Sequence, residues 1–346
     1  MSYLQIVETW LKNNTYEIED YSDLSKLETL KKEKGYSVAV VLPTLEEEGT
    51  IGNVLECLIN KLIKDYKIID ELIVLDGGSQ DNTETICKEY KESKLYLQDK
   101  ILNQVCTFKG KGEALWKSLY ITKSDIIIYV DSDIKNFDER FVVGILAPLL
   151  LNENIKFVKG YYARPYMPSE GIKSNEGGRV TELCARPLLN TLYPELAGFI
   201  QPLGGEYGGF RDVLENIEYT SGYGVEVQSL IEIYNKFGLS SMAQVNLVER
   251  VHRHQPINSL SKMSFAIMQT ILKKHIPNDI NNNILIKNIN KENSEYVKSR
   301  SKKQIHCNCA GNEMDNNHFK FANINENILP CMSEVRKNLS KELFFN

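Results

Sequence analysis

The chain has 346 residues, 42% of them hydrophobic and 25% charged, with 41 Lys+Arg against 46 Asp+Glu and a formal net charge of −5. This is the composition of an ordinary globular protein with enough apolar residue to bury a core unaided by metal or disulfide. Its mild acidity excludes general binding to nucleic acid or to an anionic membrane, which needs a basic face. Any anionic ligand must be held by a local cluster of cations.

No segment reads as a membrane span. The apolar stretch Phe141–Leu151 contains Pro148 and is far shorter than the ~20 residues a crossing needs. The N-terminus lacks the basic-then-apolar order of a signal peptide, and seven scattered cysteines make no disulfide framework. A reduced, cytoplasmic protein is expected.

In chain order, residues 1–35 open with an amphipathic helix (Leu4, Val7, Trp10, Leu11) and a charged helical stretch closed by Gly35. SVAVVLP is short, β-branched and apolar, as expected of a strand buried on both faces. A helical pattern runs through Ile51, Val54, Leu55, Leu58 and Leu62, then a second buried strand ends at Asp76. After GGSQDNT and another helix, a glycine-opened helix spans 109–123, and the strand DIIIYV leads into Asp131-Ser132-Asp133. Strand, polar loop and helix repeated in this way predict a parallel sheet wrapped by helices. Ligands of such sheets gather beyond the carboxyl ends of the strands, which marks Pro43–Glu48, Asp76–Ser79 and Asp131–Asp133 together.

The second half is more mixed. NIKFVKGYYARP reads as a strand, Gly177-Gly178 opens a helix through Leu189, and PLGGEYGG reads as a glycine-rich loop. A helix follows over about Val225–Phe237, then the strand MAQVNLV and a last apolar helix over about Ser259–Leu272. From Pro277 the texture changes, with seven asparagines between Asn278 and Asn293. This tail is expected to be partly mobile or to wrap a partner subunit.

Several residues carry chemistry. Two carboxylates ending an apolar strand, Asp131 and Asp133, are costly unless they bind a cation or hydrogen-bond to a ligand. A divalent ion bridged to a diphosphate needs only one or two protein carboxylates; a solvated, helix-capping turn is the bland alternative. Lys111 lies at a helix start, where backbone N–H groups favour an anion and a lysine is otherwise unfavourable. Gly177-Gly178-Arg179-Val180-Thr181 offers free N–H groups, a guanidinium fork and a hydroxyl, a receptor for phosphate or carboxylate. Against it stands a salt-bridge stripe of Arg179, Glu182 and Arg186 on one helix face. Arg250, His252 and His254 alternate on one side after a strand and suit an anion or, beside an aspartate, a metal. Glu226 opens a helix, either as a partner of the helix dipole or as a carboxylate near a sugar ring.

The blocks VAVVLPTLEEEGTIG, ELIVLDGGSQDNT, GKGEALWKSL, IIIYVDSD, GGRVTELCARPLL, QPLGGEYGG, GYGVEV and AQVNLVERVHRHQP resemble, in this order, the glucosyl-3-phosphoglycerate synthase family. The resemblance covers about residues 8–275, with LPCMSEV similar to that family's tail. GGRVTEL and PLGGEY are its most specific parts. It implies a retaining glycosyltransferase of GT-A fold: an α/β protein with a Rossmann-like, mostly parallel sheet, flanking helices and an acceptor-binding C-terminal part. The implied division is a helical extension (1–35), a nucleotide-sugar half (36–160), an acceptor half (161–275) and the tail (276–346).

The resemblance further implies that Pro43, Thr44, Leu45, Glu47 and Ser79 hold the uridine and that Lys111, Asp131 and Ser132 contact the nucleotide. It places Asp133 and His252 on the metal, Mg²⁺ or Mn²⁺, and Arg250 on the diphosphate. Gly178, Arg179 and Thr181 would receive 3-phosphoglycerate, with His254 contributing, while Leu203, Tyr223 and Glu226 surround the donor sugar. Asp133, Arg250 and Glu226 are the expected catalytic group. Two positions depart from the pattern: Glu46 where the family commonly has Asn, and His254 where Asn also is common. The implied reaction moves glucose from a nucleotide sugar, UDP-glucose, to the 2-hydroxyl of 3-phosphoglycerate with retention, for glucosylglycerate-type products, in a homodimer without nucleic-acid or membrane partners. The alternative is a related transferase with a lipid-phosphate acceptor or another donor sugar such as mannose.

Overall fold

The computed structural model describes residues 2–165, 178–251, 255–275, 282–287 and 319–344. Eight strands form the central sheet: β1 (Thr15–Glu17), β2 (Val38–Thr44), β3 (Glu71–Asp76), β4 (Ser93–Leu97), β5 (Ile126–Tyr129), β6 (Phe157–Ala163), β7 (Tyr207–Phe210) and, after the short β8 (Tyr219–Thr220) outside it, β9 (Met242–Glu249). Their order is β1-β9-β6-β7-β5-β2-β3-β4, and every pairing is parallel except those of β7, which runs against both β5 and β6.

The mostly parallel, helix-flanked sheet expected from the repeating pattern is therefore present. Apolar residues on both sides of each strand explain it: Val38, Val40 and Leu42 join one core, Val41 the other, and all are fully buried. Helices cover the faces: α1 (Tyr3–Asn14), α2 (Leu24–Lys34), α3 (Ile51–Cys57, continuing in wider π-helical turns to Asp65), α4 (Thr83–Glu89), α5 (Lys111–Ile121) and α6 (Arg140–Leu151) in the first half. In the second half come α7 (Arg186–Leu192, preceded by a π-helical turn from Thr181), α8 (Arg211–Glu215), α9 (Val225–Phe237), α10 (Ile257–Lys273) and α11 (Met332–Phe344). No described helix is long and apolar enough to cross a membrane.

The glycine-rich run PLGGEYGG is not all loop, because its second half is β7. A Cβ on Gly208 would lie 2.7 Å from the Ile127 carbonyl oxygen, and one on Gly209 would lie 2.7 Å from that of Lys156. Glycine here lets a strand thread between two neighbours. Since β7 is reversed, its N-terminal end meets the carboxyl ends of β5 and β6, with Tyr207 opposite both Tyr129 and Lys159. That reversal delivers Gly204–Glu206 to the ligand edge of the sheet.

In the described part of 276–346, β10 (Asn283–Lys287) pairs with β11 (Phe319–Asn323), and β12 (Ile328–Leu329) pairs with β8. The Trp116 indole N–H donates to the Pro330 carbonyl at 2.7 Å, and Met332 and Val335 join the core of the same chain.

Candidate active site

The loops beyond β2, β3, β5 and β9 meet as the sheet rule requires. Asp131 is the hub. Its Oδ1 lies 2.5 Å from Lys111 Nζ at the start of α5, and its Oδ2 lies 2.9 Å from Arg250 Nη2 beyond β9. Arg250 Nη2 also reaches Asp133 Oδ1 at 2.6 Å, and Lys111 Nζ reaches Glu226 Oε1 at 2.7 Å on the first turn of α9. Residues far apart in the sequence thus form one charged chain: Glu226, Lys111, Asp131, Arg250, Asp133.

Burial opposes the charges of Asp131, Lys111 and Arg250, and their neighbours more than offset it. Asp131 would rise on desolvation but is held well below the usual carboxylate range by Lys111 and Arg250. Lys111 and Arg250, which desolvation would lower, are pushed well above their ordinary values by the carboxylates around them. The approach is close because Gly205 has no side chain: a Cβ there would stand 2.1 Å from Asp131 Oδ2.

Several members of this assembly carry only a faint signal in the sequence. Glu206, fully buried, lies 3.3 Å from Arg250 Nη1, and the Tyr162 hydroxyl donates to its Oε2 at 2.5 Å. Arg250 Nη1 and Arg164 Nη2 donate to the Tyr162 hydroxyl at 3.0 and 3.1 Å. Lys159, fully enclosed, donates to the Gly204 carbonyl at 2.7 Å; burial brings its pKa down to about 7 although Glu226, Glu206 and Asp131 pull the other way. A buried Glu inside a glycine run and a Lys inside an apolar strand were the available hints.

The first loops sit beside this cluster. Ser132 Oγ donates to the Pro43 carbonyl at 3.0 Å, tying the Asp131–Asp133 turn to the end of β2. Thr44 is buried and Leu45 exposed. Ser79 Oγ donates to Asp76 Oδ1 at 2.6 Å and accepts from the Glu46 N–H at 2.8 Å, while the Glu47 N–H donates to Thr83 Oγ1 at 2.9 Å. Glu46 has φ +57°, in the left-handed region that Asn tolerates better than Glu. Asn at this position in the resembled family suits that backbone. Leu203 packs on the core, and Tyr223 is exposed.

Gly178, with φ +82°, turns the chain into the helix bearing Arg179 and the buried Thr181. Arg179 Nη2 donates to the Gln255 carbonyl at 3.2 Å, on the segment that leaves Arg250. Of the expected salt-bridge stripe, Arg186 forms a two-pronged pair with Glu182 (2.7 and 2.9 Å) and also donates to the Ile200 carbonyl at 2.7 Å. Arg164, beside Gly178, links this anion-type helix start through Tyr162 to Arg250. His252 and His254 lie outside the described residues.

Chemically, this edge sets fixed cations among carboxylates. Counted formally, Lys111, Lys159, Arg164 and Arg250 face Asp131, Asp133, Glu206 and Glu226. The most exposed of these carboxylates, Asp133, suits an added divalent cation. Among the described residues no three His, Cys, Asp or Glu converge as a closed metal cage. An open site completed by ligand oxygens fits this donor set.

Known proteins resemble this chain over most of its length. Residues 39–163 match the profile of glycosyl transferase family 2. The glucosyl-3-phosphoglycerate synthase of Petrotoga mobilis is 42% identical over 283 residues, covering 80% of this chain and 87% of that protein. The crystal structure of glucosyl-3-phosphoglycerate synthase from Mycobacterium tuberculosis with Mn²⁺, UDP-glucose and phosphoglyceric acid superposes with a TM-score of 0.72 at 35% identity, covering 90% of this chain and 95% of that one. That protein has also been solved with Mg²⁺ and UDP. Mannosyl-3-phosphoglycerate synthase from Rubrobacter xylanophilus gives a TM-score of 0.77 at 29% identity, covering 95% and 98%.

Proposed function

Since the chain belongs to the glucosyl-3-phosphoglycerate synthase family and is a glycosyltransferase of GT-A fold, we propose that it transfers glucose from UDP-glucose to the 2-hydroxyl of 3-phosphoglycerate with retention of configuration. The observation that carries this reading is the partly buried Glu226–Lys111–Asp131–Arg250–Asp133 chain at the carboxyl edge of the sheet.

Pro43, Thr44, Leu45, Glu47 and Ser79 form the uridine wall, and Asp131 and Ser132 orient the ribose and diphosphate. Lys111 and Arg250 exchange part of their carboxylate contacts for diphosphate oxygens, placing positive charge where negative charge grows on the leaving group. Asp133 and His252 would hold Mg²⁺ or Mn²⁺, which when bound adds Lewis-acid stabilisation of the departing diphosphate. Gly178, Arg179, Thr181 and His254 orient the acceptor, an effect worth several kcal/mol. Leu203 and Tyr223 flank the sugar. Glu226, buried and paired with Lys111, supports the oxocarbenium-like sugar rather than attacking it. A diphosphate oxygen on the same face takes the acceptor proton. The same reading includes a homodimer in the cytoplasm, which light scattering and cell fractionation check.

The direct test is incubation with 3-phosphoglycerate, Mg²⁺ and a panel of nucleotide sugars, with product mass read out. Glucosyl-phosphoglycerate formed from UDP-glucose supports the proposal. A product formed only with a nucleotide-mannose or only on a lipid phosphate rejects it, and a trapped glycosyl-Glu226 adduct rejects the role given to Glu226.

A further inference from the structure

The segment before α11 reaches the site through one buried carboxylate. Glu326 is 3% exposed, and its Oε2 accepts from the Gly222 N–H at 2.9 Å. The neighbouring N–H groups of Tyr223 and Gly224 face the same carboxylate and favour its charged form. A loop that turns successive N–H groups toward an anion is a natural anion seat, here taken by a side chain of the protein itself. Glycine at 222 permits it, since a Cβ there would lie 2.4 Å from Glu326 Oε1. Burial raises the Glu326 pKa while these donors oppose the rise.

The loop held in this way supports two parts of the site. The Ser221 carbonyl accepts from the Glu113 N–H at 2.9 Å. The Thr220 and Ser221 carbonyls lie where a Cβ on Gly112 or Gly110 would come within 1.9 and 2.5 Å. The loop therefore seats the start of α5, which carries Lys111. It also bears Tyr223 and runs directly into Glu226, whose Oε1 meets Lys111 Nζ. Glu326 is itself fixed. Its N–H donates to Gln269 Oε1 at 3.3 Å, its carbonyl accepts from Lys273 Nζ at 2.7 Å, and the Ser221 N–H donates to the next carbonyl, that of Asn327, at 2.9 Å.

We propose that Glu326 is a positioning residue for the donor: its carboxylate holds the Ser221–Gly224 loop in the shape that sets Lys111, Tyr223 and Glu226 around the sugar nucleotide. The proposal rests on the functional reading above for the identity of the donor. Glu326, buried against the loop, acts through it.

The test compares the full-length protein with its Glu326→Gln, Glu326→Asp and Gly222→Ala variants. Glutamine keeps the shape but turns a donor toward N–H groups that need an acceptor, and alanine at 222 presses the carboxylate from the loop side. Steady-state kinetics with UDP-glucose, 3-phosphoglycerate and Mg²⁺ are paired with calorimetric UDP titration and melting curves. Glu326→Gln and Gly222→Ala are expected to raise the UDP-glucose KM and the UDP Kd roughly tenfold or more, leave the 3-phosphoglycerate KM unchanged, and be partly rescued in Glu326→Asp. Unchanged UDP affinity in folded variants overturns the proposal. So does a fall in melting temperature and active fraction with both KM values intact. If the wild type makes no glucosyl-phosphoglycerate, the functional reading fails, and UDP titration of the same variants still decides the role of Glu326.

Discussion

Gly205→Ala changes no charge and removes no hydrogen-bonding group, yet it strikes the centre of the site. The added Cβ would stand 2.1 Å from Asp131 Oδ2, 2.4 Å from Cγ and 2.5 Å from Oδ1. The carboxylate must then leave its place between Lys111 at 2.5 Å and Arg250 at 2.9 Å. Overpacking costs about 1–3 kcal/mol of stability. Misplacing one charge-assisted contact costs about 1.5–3 kcal/mol, which in nucleotide affinity is roughly 10–100-fold. Calorimetric titration with UDP and Mg²⁺, beside a denaturant melt, measures both. Gly52→Ala is the internal control. Its Cβ would meet Ile86 Cγ2 and Tyr90 Oη at 3.6 Å each, ordinary contact, inside a helix. Alanine there is expected to stabilise by up to about 1 kcal/mol and to leave UDP affinity alone. A folded Gly205→Ala protein that binds UDP like the wild type refutes the placing of Asp131 in the donor site.

Lys117→Met strands the buried Glu113, whose Oε1 lies 2.9 Å from Lys117 Nζ with both side chains 1% exposed. Chemical denaturation should show a loss of about 3–5 kcal/mol, and a loss below about 1 kcal/mol contradicts the pairing. Lys159 makes pH-dependent predictions. Burial holds its folded pKa at about 7, below the unfolded value, so between about 7 and about 10.5 the unfolded chain binds more protons and this group's contribution to stability rises with pH. The stability of Lys159→Met relative to wild type should therefore be greatest below about pH 7 and decline above it. Measured relative to Lys159→Met, the UDP affinity of the wild type should fall as the Lys159 cation is lost from about pH 6 to about pH 8; parallel pH profiles contradict this.

What was legible in the sequence was whatever a period or a local motif can encode. Helix α9 falls at Val225–Phe237 as its apolar spacing indicates, and the buried strands β2, β3 and β5 end at the expected ligand loops. Asp131, Lys111, Arg250 and Glu226 were singled out individually, and the fold brings them into contact. What escaped depends on encounters across the chain. β7 was read as loop because its two glycines signal flexibility locally, and only the closeness of Ile127 and Lys156 explains them. The three-residue β1 has too few residues for a period and exists through its register with Gln244–Asn246. Tyr162, Lys159, Glu206 and Glu326 are buried polar groups whose partners lie on other elements.

The central claim is that Asp133 brings a divalent cation to the diphosphate which Lys111 and Arg250 await. Titrating UDP into wild type and Asp133→Asn, each with Mg²⁺ and with chelator, tests it most directly. The expected result is tight binding to the wild type only with Mg²⁺, and weak, metal-indifferent binding to the variant, at least roughly tenfold poorer. An Asp133→Asn protein that keeps the wild-type affinity and metal dependence contradicts the account.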